Sequence, residues 1–236
     1  MTTEKSRAKT STFSGLIRNL PQRIGTKVLN PAHRKKPYLG KTLLQKETVK
    51  LPESDFEQSG TICIVDISGY TNFVKETQSD IGLLSVSRLL QEIISANNLF
   101  FNISEIEGDA ILFYRYGPPY PVEIILKQFE SMLLAFNKMI DKLKVYGKNV
   151  TFLSIKSVVH YGLISQFSIG RFEKLYGKPL IEAHRLLKNS INRETYSLIT
   201  EQYIHTSSKN EVTALRGIQR SEKYDVGELS YTYFPY

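Results

Sequence analysis

The sequence predicts an α+β protein with a ferredoxin-like βαββαβ core, in which helices pack on a mainly antiparallel sheet. An uninterrupted apolar run over 62–65 predicts a strand that is buried on both faces. Apolar residues at helical spacing predict one helix over about 80–97 and a longer one from Val122. Between these helices, two apolar stretches flank Glu107-Gly108, which predicts a β-hairpin.

The remaining elements follow from apolar spacing and from Gly or Pro at their ends. In chain order the predicted elements are a strand over 61–66, the helix over 80–97, strands over 99–105 and 109–116, the helix from Val122 to Gly147, strands over 150–161 and 167–169, a helix from Pro179 to about Lys188, and strands over 196–199 and 231–234.

Charge is unevenly distributed along the 236 residues. The net charge is +8, and residues 1–50 hold 12 of the 31 Lys and Arg but only 2 of the 23 Asp and Glu. We therefore expect a basic N-terminal arm over residues 1–58 and one domain over 59–236 that is close to neutral. A near-neutral domain argues against nucleic-acid binding, which requires a basic surface on the domain itself.

The arm contains apolar residues at helical spacing, and basic residues lie among them. An amphipathic helix of this kind suits an anionic membrane surface or a partner, and a solvated tail that packs on its own domain fits the same pattern. The only cysteine is Cys63, which excludes intramolecular disulfides and thiolate metal clusters. With no long apolar run and no signal peptide, these features predict a cytoplasmic protein.

Asp66 ends the first apolar run, and Gly69 follows three residues later. A carboxylate at the rim of the core stays close to solvent, where it can remain ionised and hold a cation. Gly69 has no Cβ, so a phosphate or a metal can approach its backbone closely. The simpler interpretation is that Asp66 caps the turn after the strand through its side chain.

Asp109 changes this interpretation, because the hairpin returns it to the end of the first strand, beside Asp66. Two unpaired carboxylates at this distance repel each other, and a divalent cation removes that repulsion. Oxygen ligands without a His or Cys cluster favour Mg²⁺ or Mn²⁺, with substrate phosphates completing the site. Two solvated turn carboxylates remain the alternative.

Two motifs carry a resemblance to a known family. VDISGYTNF and EIEGDAILF stand in this order, with a helix of suitable length between them. Together they resemble the class III nucleotidyl cyclase catalytic domain, which makes 3′,5′-cyclic nucleotides. The segments SEIEGDAILFY and GKPLIEAHRLLKNSI are most similar to those of a bacterial family of cyclase-like proteins. The resemblance covers about residues 60–236 and leaves the arm out.

This resemblance implies the conversion of a nucleoside triphosphate to a cyclic nucleotide and pyrophosphate by two-metal catalysis. It implies two Mg²⁺ or Mn²⁺ ions per site, one lowering the pKa of the ribose 3′-hydroxyl and the other holding the triphosphate. The implied metal ligands are Asp66, Asp109 and the carbonyl of Ile67. The residues implied to lie under the phosphates, at the start of a helix, are Ser68, Gly69, Tyr70 and Thr71.

The segment from Gly177 to Arg185 resembles the family's helix with the pattern Gly-Asn-Thr-Val-Asn-x-Ala-x-Arg. By this match Arg185 stabilises the pentavalent phosphorus of the transition state, a task that suits guanidinium geometry. The family's asparagine, which orients the ribose, falls on Ile181, which cannot make that hydrogen bond. A basic amphipathic helix with Arg185 in a salt bridge is the alternative.

The two base-contacting positions of the family fall on Glu105 and Lys174. Guanylyl cyclases have Glu at the first position, where adenylyl cyclases have Lys, so GTP is favoured over ATP. Lys174 is unlike either class, and UTP and CTP remain open. The family's triphosphate-binding lysine has no clear equivalent near Asp225.

The resemblance also implies a homodimer with two shared sites, in which one protomer supplies Asp66 and Asp109 and the other supplies Arg185. The chain has one copy of each motif, so it cannot complete a site alone. A second hypothesis is a catalytically silent nucleotide-binding or dimerisation module of the same fold, which the departures at Ile181 and Lys174 motivate.

Overall fold

The computed structural model describes residues 57–207 and 216–236, so the predicted arm lies outside the described residues except for its last two positions. The elements in chain order are β1 (Gln58–Ser68), α1 (Tyr70–Glu76), α2 (Ser79–Ser95), β2 (Asn102–Glu107), β3 (Ala110–Tyr116), α3 (Val122–Leu143), a 3₁₀ helix (Lys148–Phe152), β4 (Ser154–Ile169), β5 (Phe172–Tyr176), α4 (Lys178–Leu186), β6 (Tyr196–Thr200), α5 (Glu201–Ser207), β7 (Ile218–Tyr224) and β8 (Gly227–Pro235).

The strands form one mixed sheet in the order β2-β3-β1-β4-β6-β8-β7, and β5 pairs with the far end of β4. Within the described sheet, β4 and β6 are parallel and every other neighbouring pair is antiparallel. The order β2-β3-β1-β4 is that of a ferredoxin-like core. The predicted α+β fold with a mainly antiparallel sheet is therefore confirmed.

The central strand β1 is buried on both faces, as its apolar run predicts. Cys63 and Val65 point into a core that α2 and α3 cover, with Phe129 and Phe136 of α3 among its members. The alternate residues point into a second core on the opposite face, where α4 packs. Its members include Ile62 and Ile64 of β1, Ala183 and Leu186 of α4, and Tyr231 and Tyr233 of β8.

The structure corrects the predicted hairpin. The two turn residues are Gly108 and Asp109, so the turn lies one residue later than predicted and Asp109 precedes β3. Gly108 has φ 60°, a conformation that glycine adopts without a Cβ penalty, and this fixes the turn.

The prediction of a strand over 150–161 is wrong at its start. Residues Lys148–Phe152 form a 3₁₀ turn that buries Val150, and β4 begins only at Ser154. It then continues to Ile169 and absorbs the short strand predicted over 167–169. The sequence patterns missed α1, β5, α5 and β7.

None of the helices in the described ranges combines the length and the apolar character that crossing a membrane requires.

Helix α4 lies directly against β4 because Gly162 has no side chain. A Cβ at Gly162 would lie 2.4 Å from Cγ of Pro179, in the first turn of α4.

We expect Gly162→Ala to lower the free energy of unfolding by about 1–3 kcal/mol, because α4 has to move away from the sheet. Urea denaturation measures this loss. Gly147→Ala is the matched control, because its Cβ meets nothing within 4 Å and its φ of 167° suits any residue. Equal stability of the two variants would contradict the close approach of α4.

Candidate functional site

Asp66 lies near the end of β1 with a strand on each side. The register places it opposite Ala110 of β3 and opposite Lys156 of β4. Its Oδ2 atom is 3.2 Å from Nζ of Lys156, and the two side chains are 18% and 21% exposed. Partial burial raises the pKa of Asp66, and the charge and hydrogen bond of Lys156 act in the opposite direction.

Asp109 is held beside Asp66 through the backbone. The N–H of Ile67 donates to the carbonyl oxygen of Asp109 at 3.2 Å, which joins the hairpin turn to the strand end. Desolvation, and then the negative charge of Asp66, raise the pKa of Asp109 to about 6. The structure thus brings Asp66, Ile67 and Asp109 together at one edge of the sheet.

One expectation about this pair needs correction, since Asp66 is not an unpaired carboxylate. Lys156 neutralises one of the two negative charges. Asp109 makes no ion pair with any residue in the described ranges, and burial followed by the charge of Asp66 raises its pKa. Lys156 is therefore a member of the site that the sequence analysis missed.

The loop from Ser68 to Thr71 connects β1 to α1. Gly69 caps α1 with φ 83°, and a Cβ there would lie 2.8 Å from the carbonyl oxygen of Phe152. Both the conformation and the close approach require glycine. Gly69 and Thr71 are exposed at the start of the helix, and Tyr70 is half-buried.

Ser68 differs from its neighbours because its side chain already makes a hydrogen bond within the fold. Its hydroxyl donates to the carbonyl oxygen of Glu194 at 2.8 Å and is buried. This hydroxyl ties the end of β1 to the segment before β6. Phosphate contact at this position would therefore come from the backbone and not from the hydroxyl.

Glu105 and Lys174, the two predicted base-contacting residues, form an ion pair with each other. A bulge in β2 between Ile103 and Glu105 shifts the register against β3, and bulges of this kind redirect side chains. Lys174 projects from the middle of β5, a strand that the sequence analysis missed. A carboxylate acceptor and an ammonium donor thus lie together, 69 positions apart in sequence.

Arg185 pairs with a residue other than the two aspartates. Its Nε and one terminal nitrogen each donate to a carboxylate oxygen of Asp225 at 2.7 Å, in the turn between β7 and β8. In the described part of the chain Arg185 makes no ion pair with Asp66 or Asp109. Ile181, one turn earlier on α4, is 51% exposed.

The donor set suits a hard divalent cation. No group of three or more His, Cys, Asp or Glu residues within 57–207 and 216–236 forms a metal cluster. Two carboxylates and a nearby backbone carbonyl are instead the kind of partial set that Mg²⁺ uses together with substrate phosphates. Burial, and then the negative charge of Asp66, raise the pKa of Asp109, and a bound cation would offset both effects.

The sequence analysis did not identify Lys156 and Asp225 as partners of the site residues. Lys156 is the one charged side chain in the apolar run over 155–159, and this was the available signal. Asp225 stands near the position of the family's lysine, and nothing in the sequence links it to Arg185. The Asp66–Lys156 pair depends on strand register, and the Arg185–Asp225 pair depends on how α4 lies against the turn between β7 and β8.

Comparisons with known proteins support the fold. A family model described as a protein of unknown function, DUF2652, matches residues 86–196. No curated protein matches the sequence.

Solved structures of cyclase catalytic domains are similar to this chain. The guanylyl cyclase Cya2 superposes with a TM-score of 0.58 at 12% identity, covering 75% of this chain and 91% of Cya2. The dimeric guanylyl cyclase domain of the RhoGC fusion protein from the aquatic fungus Blastocladiella emersonii gives 0.51 at 16% identity, with 75% and 95% coverage. The RhGC guanylate cyclase domain from Catenaria anguillulae, solved with GTP, gives 0.51 at 15%, also with 75% and 95% coverage. The chain therefore has the fold of class III nucleotidyl cyclase catalytic domains.

The carboxylate pair predicts a specific pH dependence. Because the pKa of Asp109 is about 6 in the folded protein and 3.8 is its ordinary value, the folded state binds more protons between these values. The free energy of unfolding therefore falls as pH rises from about 4 to about 6.

Carbon-detected NMR titration of the Asp109 carboxyl group measures its pKa directly. Asp66→Asn should lower that pKa, because it removes the neighbouring charge. Asp80→Asn, on α2 and outside the pair, should leave it unchanged. An unchanged Asp109 pKa in Asp66→Asn would contradict the coupling.

Proposed function

We propose that this chain is a nucleotide cyclase that converts a nucleoside triphosphate to a 3′,5′-cyclic nucleotide and pyrophosphate. The observation that carries the proposal is the pair Asp66 and Asp109, held side by side at the end of the central strand of a cyclase fold. Two neighbouring carboxylates repel each other and lower the stability of a fold that serves only as a scaffold. The same two carboxylates increase the affinity of a site for divalent cations.

In this proposal Asp66, Asp109 and the carbonyl of Ile67 hold two Mg²⁺ or Mn²⁺ ions per site. When bound, these ions supply charge neutralisation of the triphosphate and Lewis-acid activation of the ribose 3′-hydroxyl. The 3′-oxygen forms a bond to the α-phosphorus, the bond from that phosphorus to pyrophosphate breaks, and the hydroxyl proton leaves to solvent. Gly69, Tyr70 and Thr71 lie under the phosphates and offer backbone N–H groups from the start of α1.

Glu105 and Lys174 supply the base contacts. Guanine presents two adjacent N–H donors, which suit the two oxygens of a carboxylate, and beside them a carbonyl oxygen, which suits an ammonium group. The pair of Glu105 with Lys174 places an acceptor and a donor together in this manner. We therefore favour GTP over ATP. Uracil, like guanine, presents a ring N–H donor beside a carbonyl oxygen, so UTP is the next candidate, and CTP remains open.

The active assembly in this proposal is a homodimer with shared sites. Arg185 pairs with Asp225 in its own chain and not with the Asp66–Asp109 pair, so it is available to serve the site of a partner. Exposed apolar side chains lie on the elements that carry the other site residues. They are Ile106 beside Glu105, Phe172 and Tyr176 on either side of Lys174, and Ile181 on α4. A second copy of the chain would cover such side chains.

Ile181 favours a second candidate function. It stands where the family has the ribose-orienting asparagine, it is exposed, and its side chain has no hydrogen-bonding group. A domain that binds a nucleotide without turning it over, or that only dimerises, would tolerate this change.

Incubation with each of the four nucleoside triphosphates and Mn²⁺ tests the proposal. We expect a cyclic product, with GTP the best substrate, and detection by mass spectrometry identifies both base and linkage. Asp66→Ala and Asp109→Ala should each lower kcat by at least roughly a hundredfold, because each removes a cation ligand. Circular dichroism verifies that both variants fold.

The absence of any cyclic product at high enzyme concentration would overturn the cyclase proposal. Isothermal titration calorimetry then separates the alternatives. Nucleotide binding without turnover indicates a sensor, and no binding indicates a dimerisation module.

Complementation tests the shared site. We expect Asp109→Ala and Arg185→Ala each to retain at most about a hundredth of wild-type activity alone, while an equal mixture regains roughly a quarter of it. Half of the dimers are then mixed, and one of the two sites in each mixed dimer is intact. If the mixture stays inactive although each variant still dimerises with wild type, Arg185 does not act across an interface.

A further inference from the structure

A buried polar cluster lies beneath α4 and plays no part in the chemistry described above. His160 of β4 is 2% exposed and Glu182 of α4 is 5% exposed. Nε2 of His160 is 3.0 Å from Oε2 of Glu182, and Nδ1 is 2.8 Å from the hydroxyl of Thr200 at the end of β6. The other carboxylate oxygen of Glu182 is 2.9 Å from Nζ of Lys178.

The hydrogen bonds of this cluster connect β4, α4 and β6. The Thr200 hydroxyl oxygen lies 2.8 Å from Nδ1 of His160 and also accepts the backbone N–H of Tyr203 at 3.3 Å. Nε2–H of His160 then donates to Glu182, and Lys178 donates to the second oxygen of that carboxylate. Every polar group has a partner, which is the condition under which buried polar groups are tolerated. The hydrogen bond from His160 is the main cause that lowers the pKa of Glu182.

Glu182 lies between Ile181 and Arg185 on α4. Ile181 precedes it and is exposed, and Arg185 follows three residues later and is half-buried. On the core side, α4 offers only Pro179, Ala183 and Leu186 as fully buried apolar contacts. Apolar contacts of this kind are not directional, whereas a hydrogen bond from a fixed strand is.

Helix α4 has nine residues, and isolated helices of that length are marginal in water. Its orientation therefore depends on how it docks. Gly162 sets how closely the helix approaches β4, as described above. The bond between His160 and Glu182 adds a constraint of another kind, because it opposes rotation of the helix about its own axis.

We propose that His160 and Glu182 are positioning residues, which fix the rotation of α4 and thereby direct Arg185 toward the reacting phosphate. The proposal rests on the proposed cyclase function for its consequence in catalysis. Its structural part, the fixed rotation of α4, stands without that function.

Two variants remove the link. In His160→Leu/Glu182→Met, apolar side chains replace the pair, and replacement of a buried ionic pair in this way often leaves a fold stable. In His160→Asn, the shorter amide retains a polar group near Thr200 but does not reach Glu182. We expect each variant to lower kcat about tenfold or more with KM within about twofold, because a misplaced catalytic group costs turnover more than binding. Glu182→Gln, which still accepts from Nε2–H, should recover most of kcat.

Ser157→Ala/Ser197→Ala is the matched control. These two buried hydroxyls bond to each other at 2.8 Å and join β4 to β6, as His160 and Thr200 do, without touching α4. This variant should keep kcat within about twofold of wild type. Thermal unfolding followed by circular dichroism shows which variants are folded.

A double-mutant cycle with Arg185→Ala separates positioning from general damage. If the pair acts through Arg185, then His160→Asn should cause no further loss of residual activity in the Arg185→Ala background. Multiplicative losses, or a wild-type kcat in folded His160→Asn, would overturn the proposal.

Backbone hydrogen exchange decides the structural part independently. Amides of α4 should exchange at least about tenfold faster in His160→Asn and at the wild-type rate in the serine control. If wild type makes no cyclic nucleotide, the proposed function fails, and the exchange rates alone decide whether the pair fixes α4. Unchanged exchange in His160→Asn overturns the positioning role in either case.

Discussion

Antiparallel pairing of β1 with β3 on one side and with β4 on the other determines the whole candidate site. This register places Asp66 between Ala110 and Lys156, and the bond from the Ile67 N–H brings the hairpin turn with Asp109 alongside. Because side chains alternate along a strand, a slip of one residue would turn Asp66 into a core and expose apolar neighbours. Burial of β1 on both faces makes such a slip costly, so the packing of two apolar cores maintains the position of a polar site.

Most charged groups of the site are neutralised within the chain. Asp66 has Lys156, Glu105 has Lys174, and Arg185 has Asp225. Asp109 makes no ion pair among the described residues, and the negative charge of Asp66 acts on it. Within the described part of the chain, Asp109 is therefore the one carboxylate of these site residues without a cationic partner, and it lies next to the loop that begins α1. Surface ion pairs such as Arg185–Asp225 are weak enough to exchange partners, whereas the half-buried Asp66–Lys156 pair is held more firmly.

The features that were predictable from sequence are those that periodicity determines. Burial of β1, the helices α2 and α3, and the order of the core elements follow from apolar spacing. The two aspartates could be predicted because Asp66 ends the first apolar run and the hairpin returns Asp109 to its side. The position of the turn was missed by one residue, because only the positive φ of Gly108 distinguishes the two choices. Lys156 and Asp225 were not predictable as partners. Lys156 depends on the register of β1 against β4, which are distant in sequence, and Asp225 depends on how the turn between β7 and β8 lies against α4. The 3₁₀ turn at Lys148–Phe152 was read as strand because one buried apolar residue, Val150, satisfies either pattern.

The pairing of Arg185 with Asp225 has a consequence for assembly. If Arg185 serves the site of a partner, then Asp225 competes with the partner's bound triphosphate for the same guanidinium group. A triphosphate carries more negative charge than one carboxylate, so a nucleotide-loaded partner wins this competition more readily than an empty one. By thermodynamic linkage, whatever factor the nucleotide adds to the association of two protomers, association adds to the affinity for the nucleotide. Under this proposal, competition from Asp225 makes dimerisation depend on the nucleotide concentration, and nucleotide binding depend on the concentration of the chain.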